Sequence, residues 1–519
     1  MVAQHSITLP FSQRRLSSLD TPEFPHLLTN NAPPNPQNAS ILRQELSAAS
    51  KDLEAIDIEV PQLLAALKAL HTRRTHLAGY VKRYQSVISP IRRLPAEILS
   101  EIFLLCRKGQ RANILDTTQF PWPLTRVCSA WRSVAISTPG LWNTIAPEPI
   151  PKTAAGSKEL VNRFIYRSRN APLSVRLTSA CMQRAFRSSL ERIISTSPRW
   201  TEFTLSIDFS QGMPCNLRQL RGSLQSLEQL TIEGKGADGN VGLQNTVDVF
   251  WVAPMLKRVT IREVSLTHFQ IPWIQITHLD YRNKTPTFSE EIDENEPDIY
   301  TFDVLRNVPQ LTELHYNSLA VETDDMEPVV LPSLRALHIF NDSTFANCIT
   351  APSLRSLHIV SEDDGVPFID INDLIPMLSR SRASLKTLVV RKTETESLDG
   401  DDILALLQHT PTLQQLDVKG LDDLDEDFFL ALEMNPAITP PLVPDLKSIT
   451  ISSQYHSSSA VANNLLQFLE SRCGNGKHSA LTKARFCLSP SSFTLPSRAY
   501  WLKRLVDAGL DFATLPPLN

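Results

Sequence analysis

The chain has 519 residues, 42% of them hydrophobic and 20% charged, enough for two to four domains or one long repeat array. A net charge of −4 and an isoelectric point near 6.3 supply no basic excess for a nucleic-acid partner. Glycine is scarce (16) and proline plentiful (37), which argues against a phosphate-cradling loop enzyme and for many regularly placed breaks.

The seven cysteines (Cys106, Cys128, Cys181, Cys215, Cys348, Cys473, Cys487) are scattered, and no C-x-x-C pair occurs. Neither a zinc knuckle nor a disulfide framework is suggested, so reduced thiols in a cytoplasmic or nuclear protein are expected. No stretch approaches the roughly 18 apolar residues of a membrane span, and no membrane partner is expected.

Residues 1–40 are rich in Pro, Asn, Ser and Thr and are expected to form a disordered arm. A heptad pattern covers 41–88. One seam reads Leu46, Leu53, Val60, Leu67, Arg74, Val81, Ile88, and the other Leu42, Ala49, Ile56, Leu63, Leu70, Leu77, Tyr84. A 3.5-residue repeat marks helices that pack along a seam. Pro61 lacks the amide an unbroken helix needs, so the pattern predicts two helices, about 41–59 and 62–88, folding back as a hairpin or pairing with another chain.

Ser89 and Leu94 each precede a proline, and pre-proline residues avoid the α region. A new helix is then predicted on "LPAEILSEIFLLC", with Ile98, Ile102 and Leu105 on one face. After a partly polar connector, a helix is predicted on "LTRVCSAWRSVAIS", with Val127, Trp131 and Val134 sharing a face.

From about residue 171 the pattern L-x-x-L-x-L recurs nine times, starting at Leu227, Leu256, Ile276, Leu311, Leu334, Leu354, Leu385, Leu413 and Leu446, with weaker copies near 200–207 and 481–486. Six copies carry proline two residues before the first apolar position: Pro254, Pro309, Pro332, Pro352, Pro411 and Pro444. The spacings suit leucine-rich repeats. The longer repeats have room for a convex helix, in "TFDVLRNV", "DLIPMLSRS", "DDILALLQHT" and "AVANNLLQFLE". The 20-residue spacings hold only a turn or 3₁₀ segment. The expected fold class is an α+β or α/β solenoid: N-terminal helices in 41–88, a helical module in 89–145, a linker with the first strand and helix in 146–198, an irregular repeat solenoid in 199–490, and a cap and tail in 491–519.

The string "SPIRRLPAEILSEIF … LTRVCSAWRSVAISTPGLW" resembles an F-box. The family's leucine-proline, isoleucine/phenylalanine, valine-cysteine, tryptophan and leucine-tryptophan elements correspond to Leu94 and Pro95, Ile102 and Phe103, Val127 and Cys128, Trp131, and Leu141 and Trp142. With the flanking helices, "FIYRSRNAPLSVRL" and the irregular repeats, residues 41–490 look like a class of fungal F-box proteins. The connector between Cys106 and Leu124 departs from the pattern. The resemblance implies a substrate-receptor subunit of an SCF-type cullin-RING ubiquitin ligase, with no catalytic residue, cofactor or metal. It implies that Leu94, Pro95, Ile98, Ile102, Phe103, Val127, Cys128 and Trp131 form or support the surface for the adaptor subunit, which links to the cullin.

The residue between the last two apolar positions of each repeat should point outward. That column reads Thr231, Thr260, Asp280, His315, His338, His358, Val389, Asp417 and Thr450. Asp280, His315, His338 and His358 are therefore candidates for contact with an unidentified protein substrate, or else a solvated stripe. Arg258, Arg262, Arg282, Arg391 and Lys419, one step out, would favour an acidic target. The acidic runs 289–298 and 421–427 read as solvated loops or recruiters of basic partners. The rival reading is a repeat scaffold outside any ligase. No G-x-S-x-G, Walker loop, H-E-x-x-H or G-x-G-x-x-G supports an enzyme.

Overall fold

The computed structural model describes residues 27, 29, 32–107, 109, 112–149, 154–207, 215–234, 247–283, 299–317, 327–341, 343–361, 370–392, 398–421, 426–434, 441–453, 461–473, 481–487 and 495–515. The expectation of a disordered arm falls mostly on 1–31, and the acidic run 289–298 falls entirely, outside the described residues. Two compact units are present, Met1–Pro95 and Ala96–Asn519.

In the first unit, residues 41–88 lie within a single helix, Pro36–Ile88, in place of the two helices expected there. It starts within the segment expected to be an arm, because Asn35 caps it: the Asn35 side chain accepts from the Asn38 amide at 2.7 Å, and Pro36 sits where its missing amide costs nothing. Pro61 lies inside the helix. A proline there costs about 3 kcal/mol, but breaking the helix would require nucleating a second one, which is itself unfavourable. The strong helix formers of "QLLAALKAL" carry the helix onward. It ends at Ser89, before Pro90, as expected. None of its described side chains is buried.

The second unit opens with helices Ala96–Arg107, Leu124–Val127 and Ser129–Ser137. The single helix expected over the last two is interrupted at Cys128, whose φ of −157° and ψ of 173° are extended. Its sulfur instead caps the following helix, accepting from the Trp131 amide at 3.4 Å. The connector is structural. Ile114, Leu115 and Trp122 are buried, and Asn113 exchanges hydrogen bonds with the Glu148 backbone at 2.9 and 3.0 Å.

Strands follow in chain order: β1 (Thr144–Ile145), β2 (Leu173–Thr178), β3 (Trp200–Ile207), β4 (Gln229–Gly234), β5 (Arg258–Arg262), β6 (His278–Arg282), β7 (Glu313–Asn317), β8 (Val329–Val330), β9 (Ala336–Phe340), β10 (Ile349–Thr350), β11 (Ser356–Val360), β12 (Thr387–Arg391), β13 (Gln415–Leu421), β14 (Ser448–Ser453), β15 (Lys483–Cys487) and β16 (Asp511–Leu515). Fourteen of them form one parallel sheet in sequence order, while β8 and β10 form a separate ladder. Sequential parallel pairing along a chain is consistent with a solenoid-like fold.

The prolines have a geometric cause. Leu256, Leu311, Leu334, Leu354, Leu413 and Leu446 each donate their amide to the carbonyl three residues back, at 3.1–3.3 Å. Each proline is thus the second residue of a β-turn, where its fixed φ is favourable. The leucine closing each turn and the alternate strand residues after it are buried.

The four helices expected between strands occur at Ile299–Arg306, Leu374–Ser381, Gly400–Gln408 and Val461–Cys473. The two 20-residue spacings hold 3₁₀ turns such as Leu266–His268 and Thr344–Cys348. Among the described residues no helix is long and apolar enough to cross a membrane.

Candidate functional site

Two surfaces carry the residues singled out above. The first lies on the helical module. In helix Ala96–Arg107, Leu99 and Phe103 face inward, and the Phe103 ring packs on Trp131 with centroids 4.9 Å apart. Phe103 therefore belongs to the core, so of the two expected parts, forming or supporting a surface, it can take only the supporting one. A helix whose apolar residues cover two adjoining faces must choose one for its core, and the aromatic ring buries more area than isoleucine. Trp131 and Ile102 are half-buried, and so, in the first unit, is Leu94.

The opposite face is left bare. There Ile98 is 49% exposed and Leu105 59%, and on the separate helix Leu124–Val127, Val127 is 59% exposed. Cys106 and Cys128 are exposed free thiols, and Pro95 is exposed. Val127 does not share the Trp131 face, because the break at Cys128 rotates it out. Arg107 fixes the end of the helix by donating to the Gly140 carbonyl at 2.7 Å. Trp142 is buried against Trp122 and Phe164, with centroids 5.3 and 5.0 Å away. The Arg167 guanidinium lies 4.3 Å over the Trp142 ring, a cation–π contact.

The second surface is the outward face of the sheet. Asp280, His315, His338 and His358 stand in direct register on β6, β7, β9 and β11. The His315 and His338 ring centroids are 4.1 Å apart, and those of His338 and His358 are 4.3 Å apart. The next position, Val389, is nearly buried.

Burial, reinforced by the neighbouring imidazoles of His315 and His358, lowers the His338 pKa to about 4. Burial and the Arg391 charge lower that of His358. His358 shares a 2.9 Å hydrogen bond with the Ser356 hydroxyl. The ladder is thus a partly desolvated row of imidazoles, of which His338 is neutral near pH 7.

Reading one outward column missed two partners. Glu313 bridges His315 at 2.9 Å and His278 at 3.5 Å through different carboxylate oxygens. Both residues lie two positions from the stripe on their own strands, so the neighbouring outward column would have revealed them. A hollow of about 200 Å³ opens there, lined in part by Arg258, Thr260, His278, Asp280, Glu313 and His315.

Glu313, His315 and His338 bring ligand atoms within 4.8 Å of one another, a group able to hold a metal ion. The His315 and His338 rings lie within 34° of parallel, a side-by-side arrangement that converges poorly on one ion.

The arginines expected to attract an acidic target are largely committed. Arg262 and Arg282 both bind Asp280, at 3.1 and 3.0 Å, and Arg391 binds Asp417 at 2.6 Å. Arg282 also lies 4.2 Å over the Phe340 ring. Arg262 and Arg282 thus share one carboxylate and Arg391 has its own, so part of the positive charge on this face is neutralised locally.

No family model matches the sequence, and no curated protein matches it. Among solved structures, the chain is similar to a Bacteroides fragilis protein whose crystal structure came from a structural genomics consortium. The two are 15% identical, with 54% of this chain and 80% of that chain covered and a TM-score of 0.29. A likeness of that degree says nothing about the function of either molecule.

Proposed function

We propose that this chain is a substrate receptor of an SCF-type cullin-RING ubiquitin ligase, with an F-box in the helical module and a leucine-rich-repeat array behind it. The observation that carries this reading is the ordered string Leu94-Pro95, Ile102-Phe103, Val127-Cys128, Trp131 and Leu141-Trp142, beside the apolar side chains of Ile98, Leu105 and Val127 left exposed. Exposed apolar clusters mark partner surfaces. Phe103 and Trp131 act as the internal support that holds this face rigid.

The repeat reading rests on the recurrent L-x-x-L-x-L, the proline-led turns and the chain-ordered parallel strands. The outward face with His315, His338, His358 and Asp280 is the proposed contact for the protein to be ubiquitylated. Such a receptor carries out no chemistry. It raises the local concentration of a substrate lysine beside the transfer enzyme. The compartment implied is the cytoplasm, the nucleus or both.

The test is co-purification of the full chain with the SCF adaptor. Wild type should retain the adaptor, and Ile98→Asp with Leu105→Asp should lose it while keeping its folded-state spectrum. A wild-type chain that retains no adaptor refutes the reading. In that event the burial of Phe103 and Trp142 favours the second one: a repeat scaffold that uses F-box-like helices only to cap its core.

A further inference from the structure

The helix Pro36–Ile88 stands with its heptad seam bare. Leu46, Leu53, Leu67 and Leu70 are each at least 60% exposed. Apolar residues at that density along a 53-residue helix are the pattern of a coiled-coil strand awaiting a partner. We infer that the partner is a second copy of this chain, paired antiparallel along the helix with its twofold centre beside Pro61.

Three features of the sequence on this helix select that arrangement. The first is charge. The half before Pro61 carries Glu45, Asp52, Glu54, Asp57 and Glu59 against Arg43 and Lys51. The half after it carries Lys68, Arg73, Arg74, Lys82 and Arg83 and no acidic residue. A parallel pair would set the basic halves side by side, whereas an antiparallel pair sets each basic half along an acidic one.

The second is steric. Helices running in opposite directions bring the Leu46 series of one copy opposite the Leu42 series of the other. Each series has one position that is not a large apolar residue: Arg74 in the first and Ala49 in the second. With the helices fully overlapped, Leu46 meets Leu77, Leu53 meets Leu70, Val60 meets Leu63, and Arg74 falls opposite Ala49. The long arginine stem fills the space the small residue leaves and its head reaches water. Sliding by one heptad in either direction would set Arg74 against Leu42 or Ile56 and leave Ala49 facing a branched side chain.

The third is the proline. In the fully overlapped register the twofold passes next to Pro61, which is one residue beyond Val60 and so lies off the seam. Any bend it imposes is then shared symmetrically by both copies rather than breaking their contact.

Light scattering on the purified full chain at micromolar concentration tests the association. The expected mass is twice the 58.1 kDa of one chain, and Leu53→Asp with Leu70→Asp should halve it. Direction is read from disulfides in a background with Cys106→Ser and Cys128→Ser. Chains carrying Leu46→Cys should cross-link to chains carrying Leu77→Cys, and Leu46→Cys chains alone should not cross-link to one another. These cysteine variants keep an uncharged side chain at the seam, so the result stands even if the aspartate variant misfolds. A monomeric wild-type mass overturns the inference, as does a disulfide between two Leu46→Cys chains, which only a parallel pair forms. The inference is independent of the ligase reading, and failure of one leaves the other in place.

Discussion

Phe103 and Trp131 lie ring against ring, 4.9 Å between centroids, and this contact sets which side of helix Ala96–Arg107 faces out. With Phe103 and Leu99 committed to the core, Ile98 and Leu105 have no alternative to solvent or a partner. The two faces should therefore separate by substitution. Phe103→Ala should cost about 3–5 kcal/mol of folding stability through lost transfer energy and the cavity left behind, read as a lower urea midpoint. Ile98→Asp with Leu105→Asp should leave that midpoint nearly unchanged and reduce adaptor capture by about 100-fold or more, the effect of removing central interface anchors.

The sequence could not make that division. "EILSEIFLLC" offers two apolar faces, and nothing local decides which is buried; the aromatic pairing across the module does. The strands were legible because L-x-x-L-x-L fixes inward and outward positions by itself, and neighbouring copies pair in sequence order. The helix over 36–88 was misread at Pro61, since a proline's local cost is visible in sequence but the cost of starting a second helix is not. Arg262 looked like free positive charge because its partner Asp280 is adjacent only once β5 and β6 are in register, whereas the Arg282–Asp280 pair, two residues apart on β6, was open to a reading of same-face neighbours.

The histidine ladder makes a pH prediction. The folded-state pKa of His338, about 4, lies below its ordinary value. In the pH interval between the two, the unfolded chain takes up a proton that the folded chain refuses. The corresponding stability is fully present above pH of about 6.5 and is lost as pH falls toward 4. His358, shifted the same way by burial and Arg391, adds to the slope. Glu313 and Arg282, which also act on His338, oppose each other there. His338→Phe should flatten the dependence of the thermal midpoint on pH over this range. An unchanged slope would show that the stripe titrates as solvated histidines do.

The proline-led turns predict small, separable effects. Pro254 and Pro411 each occupy the second position of a turn closed by a 3.1 Å hydrogen bond. Replacement by alanine keeps that bond and restores freedom mainly to the unfolded chain. Each substitution should cost about 0.4–1 kcal/mol. Because they sit in distant repeats, the double variant should equal the sum of the singles within about 0.5 kcal/mol, as measured by urea unfolding.

Arg472 gives the largest single-residue prediction. It is 1% exposed, and it donates to the carbonyls of Leu432, Val443 and Leu442 at 2.8 Å each. Burial lowers its pKa to about 10, so the guanidinium remains charged near neutrality with carbonyl dipoles as its recorded hydrogen-bond partners. It thereby ties helix Val461–Cys473 to the end of helix Glu426–Leu432 and to the turn that enters β14. Arg472→Leu removes the buried charge but leaves three carbonyls without that donor, at about 1–3 kcal/mol for each that water cannot reach. Arg472→Lys keeps the charge and loses the planar fork that serves three acceptors at once. Both variants should unfold at lower urea than wild type. Hydrogen exchange should quicken first in β14 and β15 and leave β4 to β7 protected, since repeats far along the sheet share few direct contacts with this anchor. Equal loss of protection throughout the sheet would mean that Arg472 supports global folding rather than the C-terminal repeats.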